Sequence, residues 1–216
     1  LLLSFTKTDV NCNSLFGSIS ALVSGGTGAY NYLWSDGSTT ATIDSLLAGT
    51  YTVIVSDTNN CSITDSLTVF ASLTPEIIID TIININCFGD STGSISVTVN
   101  NGLLPLSYQW SNGSTSEDIN GLSAGTYTLI VTDSIGCTDT ATVVVMQSLP
   151  LQSSISGINP HCGNLDGSVS LSVIGGVAPY QYLWNTGATT ATVNALPSGT
   201  YTVTISDSVG CLLLDT

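Results

Sequence analysis

The sequence predicts an all-β protein made of three tandem copies of one small β-sandwich. First, the stretch Leu122–Cys137 has two further copies, each running from an apolar anchor through a glycine turn, a tyrosine-led strand and an aspartate turn to a cysteine. Second, cysteines and tryptophans recur with a period of about 75 residues. Third, apolar and polar residues alternate between turn signals, as is typical of strands. A unit of about 75 residues is long enough for its own core.

This period divides the chain into repeats at residues 1–75, 76–150 and 151–216. Pro-containing segments at Ala71–Pro75 and Gln147–Pro150 read as linkers. The third repeat is expected to be incomplete at its C-terminal end, because it stops at Thr216, where the second repeat continues through Val143–Val145.

The second repeat shows the expected strands in order. An entry strand is followed by an alternating strand, a tyrosine- and tryptophan-bearing strand, a short strand ending at Leu122, the tyrosine-led strand and a last strand. These predicted strands are Glu76–Asn84, Gly93–Asn100, Leu106–Trp110, the segment around Ile119, Tyr127–Thr132 and Cys137–Val145. Asn-Gly pairs at 101–102 and 112–113 are turn signals.

Six or seven short strands with turn signals every 8–12 residues are typical of an immunoglobulin-like β-sandwich. The Leu-x-x-Gly-x-Tyr motif resembles a tyrosine corner, in which the hydroxyl bonds to the backbone a few residues upstream. In immunoglobulin domains the second cysteine lies within the tyrosine strand, whereas here Cys137 follows it. We therefore expect the bridge to close one end of the sandwich.

Composition excludes several functions. The 216 residues include 15 acidic groups, one lysine (Lys7) and no arginine, for a net charge of −14. Binding to phosphate backbones or to an anionic membrane surface requires clustered cations, so neither is expected. No apolar run approaches the ~18 residues of a membrane helix. The chain reads as an excerpt, so export signals and anchors are expected outside it.

Six cysteines allow 15 pairings, and each repeat holds two of them. The simplest assignment is one disulfide within each repeat: Cys12–Cys61, Cys87–Cys137 and Cys162–Cys211. Buried free thiols are the alternative, and structural zinc is disfavoured because there is no C-x-x-C motif and no histidine pair. A bridge closing a loop of this size contributes roughly 4 kcal/mol and implies an oxidising, extracytoplasmic location.

The pattern G-S-I…G-G…P-Y-x-Y-x-W-x-x-G…L-x-x-G-T-Y-T-V-x-V-x-D-x-x-G-C resembles the SprB repeat of Bacteroidetes cell-surface proteins. Gly175–Trp184 and Gly199–Cys211 carry the resemblance best, while Asn60 and Leu106 depart from it. The resemblance covers essentially the whole chain three times. It implies a very long secreted surface protein built from tandem modules and exported by the type IX system, and it singles out no ligand.

The residues that could carry chemistry each have a structural alternative. Trp34, Trp110 and Trp184 could stack on sugars, but their alternation with tyrosines favours the core. Asp57, Asp133 and Asp207 could bind calcium, as could the loops bearing Asp90 and Asp166, but single carboxylates at turns favour backbone capping.

His161 does not recur in the other repeats, so a repeated catalytic site is not expected. Asn112-Gly113-Ser114 fits a glycan sequon but reads better as a hairpin turn.

Nine of the 15 acidic positions are Asp followed by Ser or Thr. Six of them precede an apolar residue and resemble the O-glycan acceptor pattern of the same phylum, while ordinary turn pairs are the alternative. The candidate acceptors are Ser45, Ser66, Thr81, Ser134, Thr140 and Ser208.

These observations predict a non-enzymatic structural stalk in an extracellular adhesin or filament that serves adhesion or gliding motility. Two alternatives stay open: a carbohydrate- or surface-binding module using loops such as Gly25–Gly28 and Asn101-Gly102, and a self-associating fibre subunit. The expected partners are neighbouring repeats of the same chain, with surface polysaccharide or other copies of the chain as alternatives. Neither nucleic acid nor direct membrane insertion is expected. No cofactor is expected, with calcium as the one alternative.

Overall fold

The computed structural model describes residues 1–216 and contains 18 β-strands in six three-stranded sheets. No helix in the structure is long and apolar enough to cross a membrane. The predicted all-β, immunoglobulin-like fold is confirmed, and each third of the chain contributes two sheets to it.

Residues 1–75 form six strands: β1 Leu2–Thr8, β2 Gly17–Ser24, β3 Asn31–Trp34, β4 Thr42–Leu46, β5 Gly49–Ser56 and β6 Ser62–Val69. Residues 76–150 form the next six: β7 Glu76–Ile83, β8 Gly93–Asn100, β9 Ser107–Trp110, β10 Ile119–Leu122, β11 Gly125–Thr132 and β12 Thr138–Val145. The last six are β13 Gln152–Ile158, β14 Gly167–Ile174, β15 Gln181–Trp184, β16 Thr192–Leu196, β17 Val203–Ser206 and β18 Leu212–Asp215.

The strand order is the same in all three segments. In the first, one sheet has the order β1-β2-β4 and the other β3-β5-β6. The second and third segments give β10-β8-β7 with β12-β11-β9, and β13-β14-β16 with β15-β17-β18. The strands predicted for the second repeat agree with these bounds to within two residues at each end. The domain boundaries at 75 and 150 stay a prediction.

The residues form two compact units, and the middle repeat contributes to both. The first unit comprises Leu1–Ile78, Thr98–Thr115 and Leu129–Ala141. The second comprises Ile79–Val97, Ser116–Thr128 and Thr142–Thr216.

The core of the first repeat lies within the first unit. Its buried cluster is formed by the inward-facing residues of strands β2 to β6, which are Ile19, Ala21, Trp34, Ile43, Leu46, Val53, Val55 and Val69. Phe5 packs against Trp34 with ring centroids 6.2 Å apart. The Trp34 indole nitrogen donates to the carbonyl of Thr40 at 2.9 Å, so its one polar atom is satisfied inside the core.

The core of the third repeat lies within the second unit and centres on Leu171, Trp184, Val203 and Ile205. Here β17 has four residues, whereas its counterpart β5 has eight. The strand β17 is shorter because its neighbour β18 ends at Asp215, which lies opposite Val203. Residues 199–202 therefore have no strand alongside them.

Each repeat contains the predicted tyrosine corner. The hydroxyls of Tyr51, Tyr127 and Tyr201 donate to the carbonyls four residues upstream, at 3.0, 2.9 and 2.6 Å. This bond ties the start of the tyrosine strand to the preceding turn and so sets the strand's entry angle.

A β-bulge recurs at the end of the fourth strand in every repeat. The register shifts by one residue at this place in all three sheets. The extra residues are Ser45, Gly121 and Ala195, with φ angles of 59°, 67° and 59°. Glycine adopts this left-handed conformation without penalty, whereas Ser and Ala incur a steric cost.

Replacing Ser45 or Ala195 by Gly should stabilise the protein by about 0.5–1 kcal/mol. Relief of a left-handed backbone (~1–2 kcal/mol) exceeds the added entropy of an unfolded glycine (~0.4–1 kcal/mol). The matched control is Gly121→Ala, which should destabilise by a similar amount, since no atom lies within 4 Å of an added Cβ there. Urea unfolding midpoints measure all three. Unchanged or lower midpoints for both glycine variants would contradict the prediction.

Candidate functional site

Three aspartates form identical hydrogen-bonding centres at the turn after the tyrosine strand. Asp57, Asp133 and Asp207 are only 3–5% exposed. In each, Oδ1 accepts the backbone N–H groups two and four residues further on, at 2.8–3.0 Å.

The second oxygen reaches a different loop. Oδ2 accepts the N–H of Thr27, Leu103 or Val177, respectively, at 2.9–3.1 Å. Each carboxylate therefore joins the Gly-rich loop after the second strand to the turn after the fifth, and the predicted capping role is confirmed. No three His, Cys, Asp or Glu side chains group closely enough to hold a metal ion.

These bonds shift the acidity of the carboxyl groups. Partial desolvation acts to raise the pKa of Asp133, but the N–H groups of Leu103, Cys137 and Ile135 outweigh it, and the net pKa lies below the ordinary value. The pKa values of Asp57 and Asp207 are lowered in the same way by their own loop N–H donors. The charged form is thus the one that the folded loops favour.

The aspartate also positions the cysteine that ends its turn. Besides donating its N–H to Oδ1, each of Cys61, Cys137 and Cys211 accepts the aspartate N–H through its own carbonyl, at 2.9–3.1 Å. The residue before the cysteine has a left-handed φ in every case, 61° at Asn60, 87° at Gly136 and 90° at Gly210. Asn tolerates this region better than most side chains, which explains why Asn60 can replace the glycine.

The disulfides do not follow the predicted pairing. The structure joins Cys12 to Cys137 and Cys87 to Cys211, with Cα–Cα distances of 5.6 and 5.4 Å. Cys61 and Cys162 are free and exposed. The prediction of Cys12–Cys61, Cys87–Cys137 and Cys162–Cys211 was therefore wrong in its partners. Each bridge instead connects the first cysteine of one repeat with the second cysteine of the next.

Strand length is the physical reason. Cys12 follows β1, at the end of the sandwich where Gly49 pairs with Val69, whereas Cys61 lies at the end where Ser56 pairs with Ser62. An eight-residue strand separates these ends by about 23 Å. A disulfide requires Cα atoms within about 7 Å, so the two cysteines of one repeat cannot reach each other.

In the first unit, the linker after β6 bonds to residues on both sides of the bridge. Val10 donates its N–H to Phe70 at 3.0 Å and accepts that of Ser72 at 2.9 Å. Gly102 donates to the carbonyl of Leu73 at 3.2 Å. Beside the bridge, the Asn13 amide donates to the carbonyl of Ile135 at 3.0 Å.

The second unit repeats these contacts around Cys87–Cys211. Ile85 donates to the carbonyl of Met146 at 2.8 Å, and Gly176 donates to that of Leu149 at 2.9 Å. The Ser148 hydroxyl donates to the carbonyl of Asn86 at 2.6 Å. In both units, then, the linker has hydrogen bonds with the repeat before it and the repeat after it.

The other candidate residues are structural or dispersed. Trp34, Trp110 and Trp184 are each 2% exposed, which confirms their core role. His161 is exposed and contacts Asp166 through Nδ1 at 2.7 Å, and this contact lowers the pKa of Asp166. Asn112 accepts the N–H of Ser114 at 3.1 Å as a turn residue.

The six candidate O-glycan acceptors all have exposed side chains. The Ser208 hydroxyl donates to the carbonyl of Val177 at 2.9 Å, and Ser45 occupies the bulge position. Exposure fits both the glycan and the turn interpretation, so their modification stays a prediction.

Sequence reasoning missed a cluster around the single cation. The Lys7 ammonium donates to Asp9 Oδ1 at 2.8 Å and to the carbonyl of Thr68 at 2.7 Å, and lies 4.3 Å from the centre of the Phe70 ring. The cluster joins the end of β1 to the end of β6. The positions equivalent to Lys7 in the other two repeats are Ile82 and Gly157, so the repeat pattern did not indicate this cluster.

A fall in pH should reduce the stability of the wild-type chain more than that of a variant with Asn at positions 57, 133 and 207. Because the pKa values of these carboxyls are lower in the folded state than the unfolded value of about 3.9, their stabilising contribution is present above that value and is lost as pH falls through the folded pKa. Urea midpoints measured at pH 7 and pH 3 compare the two proteins. The variant should be less stable at pH 7, because an Asn amide group cannot accept the third N–H bond, and its midpoint should change less with pH. An equal pH dependence would contradict the assignment.

Comparison with solved structures gives likeness at low identity. The chain is similar to the three N-terminal domains of the bacteriophage RB49 highly immunogenic outer capsid protein, with 15% identity, a TM-score of 0.46 and coverage of 98% of this chain and 94% of that one. It is also similar to the I67–I69 fragment of titin, with 12% identity, a TM-score of 0.48 and coverage of 98% and 96%. Each TM-score is below 0.5, and no functional conclusion follows from them.

No curated protein matches the sequence. The family model of the SprB repeat matches three segments, residues 4–39, 79–115 and 159–189. Together with the disulfide bridges, these repeats point to a structural segment of an extracellular or cell-surface protein of the adhesin type. The chain thus contains three successive segments that match the SprB repeat.

Proposed function

We propose that this chain is a non-catalytic spacer in a long secreted surface protein, in which other segments carry adhesion or gliding motility. The proposal includes export by the type IX system, which the family resemblance implies. The observation that carries it is the construction of both junctions, each of which combines a covalent bridge with a hydrogen-bonded linker. A spacer needs such junctions because its role is to hold distance and transmit tension.

The two bridges limit how far the chain can lengthen under tension. Cys12–Cys137 and Cys87–Cys211 overlap in sequence. The shortest covalent path from Cys12 to Cys211 crosses one bridge to Cys137, runs back along the chain to Cys87, and crosses the second bridge. Only about 50 residues of backbone lie on this path, or roughly 170 Å when fully extended. Without the bridges, about 200 residues would extend to roughly 700 Å.

The surface chemistry also fits a passive spacer. With one lysine, no arginine and a net charge of −14, the chain offers no cationic patch for phosphate or sulfate groups. One of the two loops considered for ligand binding is occupied: Gly102 of the Asn101-Gly102 turn bonds to the linker carbonyl of Leu73. In the other, the Thr27 N–H and carbonyl are engaged by Asp57 and Thr58.

Single-molecule stretching of the oxidised monomer should give a fully unfolded length of roughly 170 Å between Cys12 and Cys211. Removing one bridge with Cys12→Ser and Cys137→Ser leaves a path of about 75 residues, or roughly 260 Å. Removing both should give roughly 700 Å. The matched control, Cys61→Ser with Cys162→Ser, should match the wild type. A length of roughly 500 Å after the first pair of substitutions would instead indicate bridges within repeats, because only the third repeat would then stay closed.

A glycan array probed with the same monomer separates the spacer from the carbohydrate-binding alternative. We expect no binding at micromolar protein concentration. Reproducible binding to a defined polysaccharide class, abolished by substitutions in Gly25–Gly28, would contradict the spacer proposal.

A further inference from the structure

The two disulfides follow one connectivity rule, and the rule leaves one cysteine unpaired at each end of the series. The cysteine after the first strand of a repeat bonds to the cysteine after the fifth strand of the following repeat. Cys61 would need a repeat before it, and Cys162 would need a repeat after it. These two are the free cysteines of the chain.

The loop that carries Cys61 already has the structure of a bridged loop. The N–H of Cys61 donates to Asp57 at 2.9 Å. The N–H groups of the bridged Cys137 and Cys211 make the same bond to Asp133 and Asp207, at 2.8 and 2.9 Å. What differs is burial: Cys137 and Cys211 are 1% and 9% exposed, whereas Cys61 is exposed. In the second and third repeats a partner loop covers this position, and in the first repeat the thiol is open to one.

The Cys162 loop is likewise held in place. The N–H of His161 donates to Asp166 Oδ1 at 2.8 Å, and Asn164 donates its N–H to the carbonyl of His161 at 2.9 Å. Cys162 lies within this turn, just as Cys87 begins the turn closed by the N–H of Asp90 at 3.2 Å. Both free thiols therefore lie on loops ordered by their own hydrogen bonds and open to a neighbour.

We propose that Cys162 of one copy bonds to Cys61 of a second copy, which joins chains head to tail by the same junction that joins repeats within the chain. This inference rests on the proposed spacer function and names its partner: a further repeat that offers the complementary cysteine. The same disulfide forms whether the further repeat belongs to another molecule or lies farther along one polypeptide.

The bond forms by thiol–disulfide exchange with a small-molecule disulfide such as oxidised glutathione. The Cys162 thiolate attacks one glutathione sulfur and releases the other as a thiolate. The Cys61 thiolate of the second copy then attacks the Cys162 sulfur and releases the second glutathione. Two protein thiols are oxidised to one disulfide, one glutathione disulfide is reduced to two thiols, and the two cysteine protons pass to the released glutathiones.

Charge sets a condition on this reaction. Each copy carries a net charge of −14, so two copies repel each other at low ionic strength, and salt screens this repulsion. Covalent assembly should therefore be faster in 0.5 M than in 0.02 M sodium chloride.

The test uses two matched single variants, Cys61→Ser and Cys162→Ser, in a glutathione redox buffer, read by non-reducing electrophoresis and intact mass. Thiol alkylation first confirms one reactive cysteine in each variant. The wild type should give a ladder of multiples of 22.2 kDa. Each variant alone should stay monomeric. An equimolar mixture should stop at a dimer, whose peptide map links Cys162 to Cys61 while Cys12–Cys137 and Cys87–Cys211 persist.

Homodimers of either variant at a rate equal to that of the mixture would overturn the proposal, because they would show unselective oxidation. A wild type that loses both thiols as a monomer, or keeps both free, would overturn it as well. A fusion of two copies in one polypeptide tests the second source, and we expect its internal Cys162–Cys61 bridge to form even in dilute solution, where the separate variants stay apart. Stretching of monomers is independent of these outcomes, so the spacer function and the end-to-end bond can fail separately.

Discussion

This structure depends on one constraint, which is that the two cysteines of a repeat lie at opposite ends of a short sandwich. The eight residues of β5 hold Cys61 about 23 Å from the end that carries Cys12, so neither cysteine can bond within its own repeat. Cys12 bonds to Cys137 of the following repeat, which a linker of only a few residues brings within reach, and Cys61 is free. Covalent connection between repeats is therefore a consequence of strand length.

The aspartate centres make this connection reproducible. A carboxylate that accepts three backbone N–H bonds orders a five-residue turn, and the cysteine comes at the end of that turn with its main chain already bonded. The same carboxylate also holds the Gly-rich loop of its repeat. A glycine of this loop, Gly102 in the second repeat and Gly176 in the third, donates its N–H to the linker. One ionised side chain thus arranges both the covalent and the hydrogen-bonded part of a junction, which explains why the motif from Asp to Cys is copied so closely.

Sequence patterns predicted most of the fold, and the physical reasons are local. Alternation located the strands of the second repeat, the Leu-x-x-Gly-x-Tyr motif located the tyrosine corner at Tyr127, and the position of Asp133 at a turn predicted its capping role. The disulfide partners were out of reach of this reasoning, because spacing along the chain does not say which end of a sandwich a loop occupies. Counting strands would not have provided that signal, because the four strands β2 to β5 lie between Cys12 and Cys61, and an even number of alternating strands returns a chain to the end that it left. In the structure β3 and β4 both run toward the end that carries Cys12, so Cys61 lies at the opposite end. The contacts of Lys7 could not be predicted, since they join strands far apart in sequence and occur in one repeat only.

The overlap of the two bridges has a consequence for damage to the chain. Any one peptide bond between Cys12 and Cys211 lies inside at least one of the covalent loops closed by Cys12–Cys137 and Cys87–Cys211. A single protease cut anywhere in this span, even in a linker, leaves the two fragments attached through sulfur. Bridges confined to single repeats would leave every linker as a point of severance, so the pairing across repeats gives an exposed surface protein continuity that its backbone alone does not have.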